Sequence, residues 1–253
     1  MKALILAAGY ATRLRPLTDD RPKMLLPLAE RPMLDYLVDR IREVPDVDQI
    51  HLVTNARFAG AFRDWAPADV VVHDDGTTSN EDRLGAIGDI AFAIQEGGLE
   101  GEDLLIVAGD NLIGYSLADF VSFWRAKDGS AIAVREIDDR SLLTQYGVVE
   151  LDGDDRVIGL EEKPAEPRSD LAATASYLYL GAHLALLPRY LAEGNPPDAP
   201  GNLMVWLYAR EPVYSYRAEG EWHDIGDLGQ LLAADNMLRE RAGLPARAEY
   251  SLS

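Results

Sequence analysis

Over its first 128 or so residues the chain alternates short apolar runs with amphipathic segments, and no other feature constrains the fold as strongly. The apolar runs have the length of buried strands, and the segments between them have the spacing of helices. Strands that alternate with helices form parallel sheets with right-handed crossovers. The predicted strands are Lys2–Ala8, Gln49–Thr54, Asp69–His73 and Asp103–Ala108, and the predicted helices are Met33–Arg42, Leu84–Gln95 and Ser116–Lys127.

From about residue 129 the pattern becomes rich in short strands, with helical patterns returning towards the end. The predicted strands are Ala131–Arg135, Gly147–Leu151, Val157–Glu161 and Thr174–Leu180, and the predicted helices are Leu184–Ala192, Leu203–Ala209 and Leu228–Arg241. We therefore expect an α/β fold with a doubly wound, mostly parallel but mixed sheet and a β-rich second half. Residues 1–253 are expected to form one domain, in which about 1–128 make the first half and about 129–240 the second.

Composition and charge exclude several classes of protein. The net charge of −19 argues against nucleic acid and anionic membranes as partners, because both require a basic face. No apolar run approaches the ~18 residues of a membrane span, and the first apolar run is interpreted as a strand rather than a signal peptide. The absence of Cys excludes disulfides and thiolate catalysis. We expect a cytoplasmic protein, and a homo-oligomer stays open.

The basic residues are concentrated at the beginning of the chain. Residues 1–31 carry a net charge of +3, whereas the other 222 residues carry −22. A basic island in an acidic protein indicates a local anion site. Because ligands of doubly wound sheets bind at the carboxyl ends of the strands, the loops after the first strand (residues 9–27) and the fourth (109–114) are expected to share one crevice.

The loop from Gly9 to Pro27 is the strongest functional signal. A glycine directly after a buried strand lets backbone N–H groups approach a phosphate closely, and Arg13 can bind phosphate oxygens with its forked guanidinium. Prolines at 22 and 27 stiffen the segment and so fix the direction of Lys23. The loop has neither the three glycines of a dinucleotide-binding fingerprint nor the Gly-Lys-Ser/Thr ending of a Walker loop.

This loop resembles the opening of the sugar-1-phosphate nucleotidylyltransferases of the glucose-1-phosphate thymidylyltransferase type, G-x-G-T-R-L-x-P-L-T…P-K-x-x-x-P. One difference is Ala11, where that family usually has a second glycine. The resemblance implies the nucleotide-diphospho-sugar transferase fold. It also implies that Arg13, which holds the triphosphate tail, and Lys23, which holds the reacting phosphates, are catalytic. The nucleotide-binding residues that it implies are Leu6, Ala8, Gly9, Thr12, Arg13, Lys23, Asn80 and Gly85.

Two of these residues belong to a second motif. The segment from Glu81 to Gly88 resembles the family's E-x-x-L-G-T-A-G, which lies against the base and ribose and includes Gly85. Asn80, just before it, fits two interpretations. It is either an ordinary helix cap or an amide that reads the edge of a pyrimidine.

Two aspartates are expected to bind Mg²⁺. Asp110 lies in a Gly-Asp-Asn sequence that resembles the family's metal-binding G-D-N. Asp224 lies in the segment 222–227, which resembles W-x-D-x-G-T and supplies the second metal carboxylate. His223 is not expected to be a ligand, because Mg²⁺ prefers oxygen donors.

The sugar side is expected in the second half of the chain. Residues 146–149 and 161–164 resemble the family motifs Y-G-V-V and E-K-P, which implies that Gly147 and Glu162 lie near the sugar hydroxyls and Lys163 on the sugar phosphate. The resemblance covers about residues 1–240. It divides the chain into a nucleotide-binding half and a sugar-phosphate-binding half, and no C-terminal β-helix domain is expected.

The implied reaction converts an NTP, with a pyrimidine nucleotide favoured, and a sugar 1-phosphate into an NDP-sugar and pyrophosphate. Three alternatives stay open: a cytidylyltransferase acting on inositol or choline phosphate, a non-catalytic homologue that binds nucleotide sugars, and a nucleotide-sugar-dependent glycosyltransferase. The glycosyltransferase is disfavoured because it usually has an Asp-x-Asp metal motif and does not need the Pro22-Lys23 element.

Overall fold

The structure, a computed structural model, describes residues 1–252. The strands are β1 (Lys2–Leu6), β2 (Pro27–Leu28), β3 (Arg31–Pro32), β4 (Ile50–Thr54), β5 (Val70–Asp74), β6 (Leu104–Ala108), β7 (Asn111–Ile113), β8 (Ser130–Glu136), β9 (Gly147–Leu151), β10 (Val157–Glu162), β11 (Leu171–Tyr179), β12 (Val213–Arg217) and β13 (Trp222–Asp224). The helices are α1 (Met33–Arg42), α2 (Ala59–Trp65), α3 (Ala86–Gly97), α4 (Leu117–Arg125), α5 (Gly181–Leu184), α6 (Leu187–Ala192), α7 (Gly201–Tyr208) and α8 (Leu228–Arg241).

One mixed sheet runs through both halves of the described chain. Strands β6, β1, β4 and β5 lie side by side and are all parallel. β11 continues the sheet beyond β6 in the antiparallel direction and pairs with β8 and β9, while β12 lies parallel to β8. The chain winds outward from β1 to β5 and then returns to the other side of β1 as β6. The switch point between β1 and β6 is where a doubly wound sheet binds its ligand, and the predicted α/β class is confirmed.

The apolar residues of β1 explain the layered arrangement. Ala3 and Ile5 pack on one face of the sheet and Leu4 and Leu6 on the other, because successive side chains of a strand point to opposite faces. Helices α1, α4 and α8 cover the first face, and α3, α6 and α7 cover the second. No helix described for residues 1–252 combines the length and the apolar composition that crossing a bilayer requires.

Most predicted elements form, with some corrections at their ends. α1, β9 and α8 have the predicted bounds, and the hydroxyl of Ser116 caps α4 by accepting the N–H of Asp119. The predicted helix 184–192 is wrong as one element: it is divided into α5 and α6, because Pro188 in the first turn of α6 has no N–H to continue a helix. α3 begins two residues later than predicted, because Gly85 has a φ of +79°.

Several short elements are absent from the sequence prediction. α2 and β12 were not predicted, nor was the small antiparallel ladder between β7 and β13. This ladder pairs Asn111 with Asp224 and thereby joins the segment after β6 to a segment more than a hundred residues later. It is the part of the fold that assembles the site described below.

Candidate active site

A crevice of about 450 Å³ lies at the carboxyl ends of β1 and β6, where the chain reverses its winding direction. The loops after these strands share it, as the sequence predicted. Ten of the predicted site residues line the crevice: Leu6, Ala8, Gly9, Asn80, Gly85, Asp110, Gly147, Glu162, Lys163 and Asp224. Thr12, Arg13 and Lys23 are not among its lining residues. Residues from both halves of the chain therefore meet at one place.

The loop after β1 forms one edge of the crevice. Thr12 and Arg13 lie in an exposed 3-10 turn, and Ala11 before it has left-handed backbone angles, with φ and ψ of 45° and 43°. A glycine adopts this conformation without strain, which gives a physical reason for the glycine that the related motif has there. The Thr18 hydroxyl donates a hydrogen bond to the Ala11 carbonyl over 2.9 Å and so closes the loop.

Lys23 lies beneath the crevice rather than in its wall. The prolines on either side hold it in a short 3-10 turn, and its side chain is 9% exposed. Its ammonium donates to Oδ2 of Asp110 over 2.6 Å and to the carbonyl of Ile225 over 2.7 Å. Lys23 thus links the three segments that follow β1, β6 and β13.

The pKa values of Asp110 and Asp224 are shifted in opposite directions. Burial acts to raise the pKa of Asp110, but the Lys23 ammonium outweighs it and lowers the pKa below the usual value. Burial and the negative charge of Asp110 raise the pKa of Asp224 to about 6, although Lys23, Lys163 and Arg13 act in the other direction. One carboxylate is therefore held ionised, and its neighbour takes up a proton near pH 6.

These two carboxylates suit a hard divalent cation. Mg²⁺ in proteins is usually held by one or two carboxylates together with substrate phosphates and water. Within residues 1–252, no three His, Asp or Glu side chains cluster in a way that would enclose a metal without other ligands. The donor set therefore fits a cation that arrives with a phosphorylated substrate. His223 lines a different cavity and not this crevice.

The predicted sugar-side residues Gly147, Glu162 and Lys163 line the same crevice. Burial raises the pKa of Glu162, an effect that Lys163 partly offsets. The backbone of Gly201, at the start of α7, lies so close to Glu162 that a Cβ there would be 2.5 Å from Oε2. Lys163 has a φ of +50°, which is rare for a residue with a side chain. Uncommon backbone geometry of this kind clusters at functional sites.

The predicted nucleotide-side residues lie at the beginning of α3. Asn80 is exposed and five residues before the cap of this helix, Gly85, so the interpretation of Asn80 as a helix cap is wrong. The carbonyls of Pro197 and Asp198 accept the N–H groups of Ile87 and Ala86. A Cβ at Gly85 would lie 2.7 Å from the Pro197 carbonyl oxygen. A segment of the second half therefore rests directly on the first.

Sequence reasoning did not single out several residues that line the crevice. They are Tyr10, Asp89, Tyr177, Gly201 and Trp222. Asp89 carried a usable signal, because it lies on the same face of α3 as the buried Ile90 and Ala93, where an acid is unexpected. Tyr177 and Gly201 carried none, because neither belongs to a motif that the sequence analysis identified.

Comparison with known proteins agrees with this geometry. A family model described as "Nucleotidyl transferase" matches residues 2–241. A glucose-1-phosphate thymidylyltransferase of Streptomyces griseus is 32% identical over 95% of this chain, and the match spans 66% of that relative's length. A UTP–glucose-1-phosphate uridylyltransferase of Synechocystis is 29% identical over 89% of this chain and 60% of the relative.

The fold is similar to that of solved structures. The structure of an apo UDP-glucose pyrophosphorylase superimposes with a TM-score of 0.81, covering 96% of this chain and 99% of the other at 18% identity. At that identity the likeness concerns the fold alone. The family model covers nearly the whole chain, from residue 2 to residue 241. The chain therefore belongs to the nucleotidyl transferase family.

Proposed function

We propose that the protein transfers a nucleotidyl group from a nucleoside triphosphate to a sugar 1-phosphate. One observation carries this proposal: a single crevice contains the Gly9 loop, the Asp110–Asp224 pair and the Glu162–Lys163 motif, with Lys23 bound beneath it. Nucleotidyl transfer brings two anions together, so it needs positive charge on both sides of the reacting phosphorus. Lys23 and Lys163 are placed to supply that charge from opposite halves of the chain.

In the proposed reaction an oxygen of the sugar phosphate attacks the α-phosphorus of the triphosphate in line. The new phosphorus–oxygen bond replaces the bond to the departing pyrophosphate. No general base is required, because the second pKa of a phosphate monoester is ~6 and the nucleophile is already anionic near neutral pH. Arg13 binds the triphosphate tail, Lys23 binds the reacting phosphates, and Lys163 binds the sugar phosphate. Thr12, Leu6, Ala8 and Gly9 support the nucleotide.

Asp110 and Asp224 would hold Mg²⁺ in this reaction. When bound, the ion supplies positive charge to the phosphate oxygens and orients them. The support is the chemistry of the two carboxylates: Lys23 lowers the pKa of Asp110, and Asp224, with a pKa of about 6, is mostly ionised at neutral pH. Lys23 contributes by keeping Asp110 in the charged form that a cation needs.

A pyrimidine nucleotide and a hexose 1-phosphate are the proposed substrates. The relatives named above are a thymidylyltransferase and a uridylyltransferase that act on glucose 1-phosphate. In this chain, the half-buried Glu162 beside Tyr177 offers hydrogen-bonding groups for sugar hydroxyls, and Asn80 offers an amide for a base edge.

A grid of substrates tests the proposal. UTP, dTTP, CTP, ATP and GTP are each mixed with glucose, galactose, mannose and N-acetylglucosamine 1-phosphates and Mg²⁺, and pyrophosphate release is measured. Inositol phosphate and choline phosphate with CTP form a further row, which tests the cytidylyltransferase alternative. We expect pyrophosphate and an NDP-sugar from at least one pyrimidine pair. NTP binding without turnover in any cell of the grid would support a non-catalytic homologue instead.

A further inference from the structure

A pair of acidic side chains lies at the nucleotide end of the crevice and takes no part in the proposed reaction. Asp89 projects from the first turns of α3 and is only 6% exposed, and it lines the crevice together with Tyr10, Asn80 and Gly85. Asp75 follows β5 and is not among the lining residues. Within residues 1–252, Oδ1 of Asp89 and Oδ2 of Asp75 are both buried without a hydrogen-bond donor. Buried polar atoms of this kind require an explanation.

The two carboxyl groups can satisfy each other only if they share a proton. They lie within hydrogen-bonding reach of one another. Two ionised carboxylates have no hydrogen to donate, whereas an acid and a carboxylate form a strong hydrogen bond. Burial and the charge of Asp75 raise the pKa of Asp89 to about 8, which agrees with a neutral Asp89 at pH 7. The pair then carries one negative charge instead of two.

Asp75 has a structural role that leaves Asp89 as the member facing the ligand. The other oxygen of Asp75, Oδ1, accepts both the backbone N–H and the hydroxyl of Thr77 over 2.7 Å. The Thr77 hydroxyl in turn lies 3.2 Å from that of Tyr10. Asp75 is thus fully used inside the fold. One oxygen of Asp89 carries the shared proton and donates it to Asp75. The other oxygen of Asp89 is then left as a hydrogen-bond acceptor.

We propose that Asp89 is a nucleobase-contacting residue that accepts an N–H of the base with this second oxygen and so helps to select the nucleotide. The inference rests on the proposed function, because it assumes that a nucleotide occupies this end of the crevice. An acidic group is unsuited to phosphate, which the basic residues Lys23, Arg13 and Lys163 serve at the other end. The nucleoside is therefore the part of the substrate that an acid here would contact. We propose that the donor is an N–H of the base. The test must distinguish it from a hydroxyl of the ribose, which could also donate to Asp89.

Equilibrium binding of nucleotides to the full-length protein tests the proposal without relying on turnover. Titration calorimetry with UTP, dUTP, dTTP, CTP, ATP and GTP in Mg²⁺ is carried out for the wild type, Asp89→Ala and Asp89→Asn. Glu96→Ala is the matched control, because Glu96 is an exposed acid on the same helix. Thermal melts establish that each variant is folded.

We expect Asp89→Ala to weaken binding of the preferred nucleotide about tenfold, the loss of roughly one hydrogen bond, and to reduce the spread of affinities among the bases. Asp89→Asn should stay within about threefold, because an amide donates to Asp75 and keeps a carbonyl acceptor as the neutral acid does. Glu96→Ala should bind as the wild type does.

Three results would overturn the proposal. The first is Asp89→Ala protein that is folded and binds every nucleotide within twofold of the wild type. The second is an effect on UTP with none on dUTP, which would assign the contact to the ribose. The third is Asp89→Asn protein as impaired as Asp89→Ala. Wild-type protein that binds nucleotides and discriminates through Asp89, yet releases no pyrophosphate in the substrate grid, would contradict the proposed reaction and leave this inference standing.

Discussion

The ammonium of Lys23 lies 2.6 Å from Oδ2 of Asp110, and the two residues are brought together from loops that follow neighbouring parallel strands. The same ammonium donates to the backbone carbonyl of Ile225, directly after Asp224. A single lysine thus holds together both segments that carry the candidate metal carboxylates. The contribution to activity that we propose for Lys23 would therefore have two sources: its charge, and the hydrogen bonds by which it joins these segments.

Replacement of Lys23 by alanine should reduce turnover by roughly 10²-fold or more, as expected when a charge that stabilises the transition state is lost. The measurement is the initial rate of pyrophosphate release with the best substrate pair. Lys2→Ala is the matched control, because Lys2 forms an aspartate pair of similar length, 2.9 Å to Asp48, at the surface. Arg13→Ala should show a loss of the same order, through the triphosphate tail. Near-normal turnover in folded Lys23→Ala protein would contradict the assignment of the site.

Replacement of either carboxylate proposed to bind Mg²⁺ should raise the Mg²⁺ concentration needed for half-maximal activity. Asp110→Asn and Asp224→Asn each remove the charge that a hard cation prefers while they keep the shape of the side chain. Activity is measured against Mg²⁺ concentration, with Asp227→Asn nearby as a control that alters only a helix cap. Full activity in excess chelator, or an unchanged Mg²⁺ requirement in either variant, would rule out this role.

The Mg²⁺ requirement should also rise on acidification. The pKa of Asp224 is raised to about 6 by burial and by Asp110, so a proton competes with the cation below that pH. The half-saturating Mg²⁺ concentration should therefore increase as the pH falls from 7 to 5 and should change little from 7 to 8. Asp224→Asn should remove most of this pH dependence. An equally steep dependence in that variant would assign it to another group.

Lys163→Ala should raise the KM for the sugar phosphate by about 10- to 150-fold, which corresponds to the loss of a charged contact of roughly 1.5–3 kcal/mol. The KM for the NTP should change far less, because Lys163 lies beside Glu162 in the crevice, where we propose that the sugar phosphate binds. Steady-state kinetics with each substrate varied in turn gives both constants. Lys127→Ala is the control, since Lys127 forms an ion pair at the surface with Asp155 of the second half. A variant impaired for NTP alone would reverse the proposed division of roles.

The free energy of unfolding should fall as the pH drops from about 6.5 to 4, in part because of His51. The ring of His51 is buried against that of His73, with 2.8 Å between Nδ1 of His51 and Nε2 of His73. Burial lowers the pKa of His51 to about 4. As the pH falls, His51 binds a proton near pH 6.5 in the unfolded chain but only near pH 4 in the folded chain. Stability is therefore lost on acidification, by up to about 3 kcal/mol.

The difference between wild type and His51→Leu isolates this contribution, because groups with raised pKa values such as Asp224 change stability in the opposite direction in both proteins. Urea unfolding at pH 4.5, 5.5, 6.5 and 7.5 provides the free energies. The variant should have a shallower dependence on pH across this range. Parallel curves for the two proteins would show that His51 is protonated equally in the folded and unfolded states.

The first half of the fold was predictable because its signals are local. A buried strand followed by Gly9, Arg13 and Lys23 carries its meaning within one stretch of sequence, and apolar periodicity locates α1 and β6. The β7–β13 ladder was not predictable, because three-residue strands have no periodicity of their own. The contact of Pro197 with Gly85 was not predictable either, because the sequence of a proline-rich loop does not indicate which helix the loop packs against. The helical pattern of α3 could show that Asp89 is buried, but its partner Asp75 could be identified only from the structure.

The bond between Lys23 and the Ile225 carbonyl spans 202 residues of sequence, and this separation has a consequence for synthesis. A ribosome completes the parallel strands β1, β4, β5 and β6 long before it reaches residue 225. The nascent chain can therefore bury most of the apolar residues around these strands before Ile225 is made. At that stage Lys23 can pair with Asp110, but the Ile225 carbonyl that accepts its second hydrogen bond is still missing. Contacts of such long range form late, because the closure of a long loop must first be compensated by other contacts. The two candidate cation-binding carboxylates should therefore come together only after β13 has emerged and paired with β7.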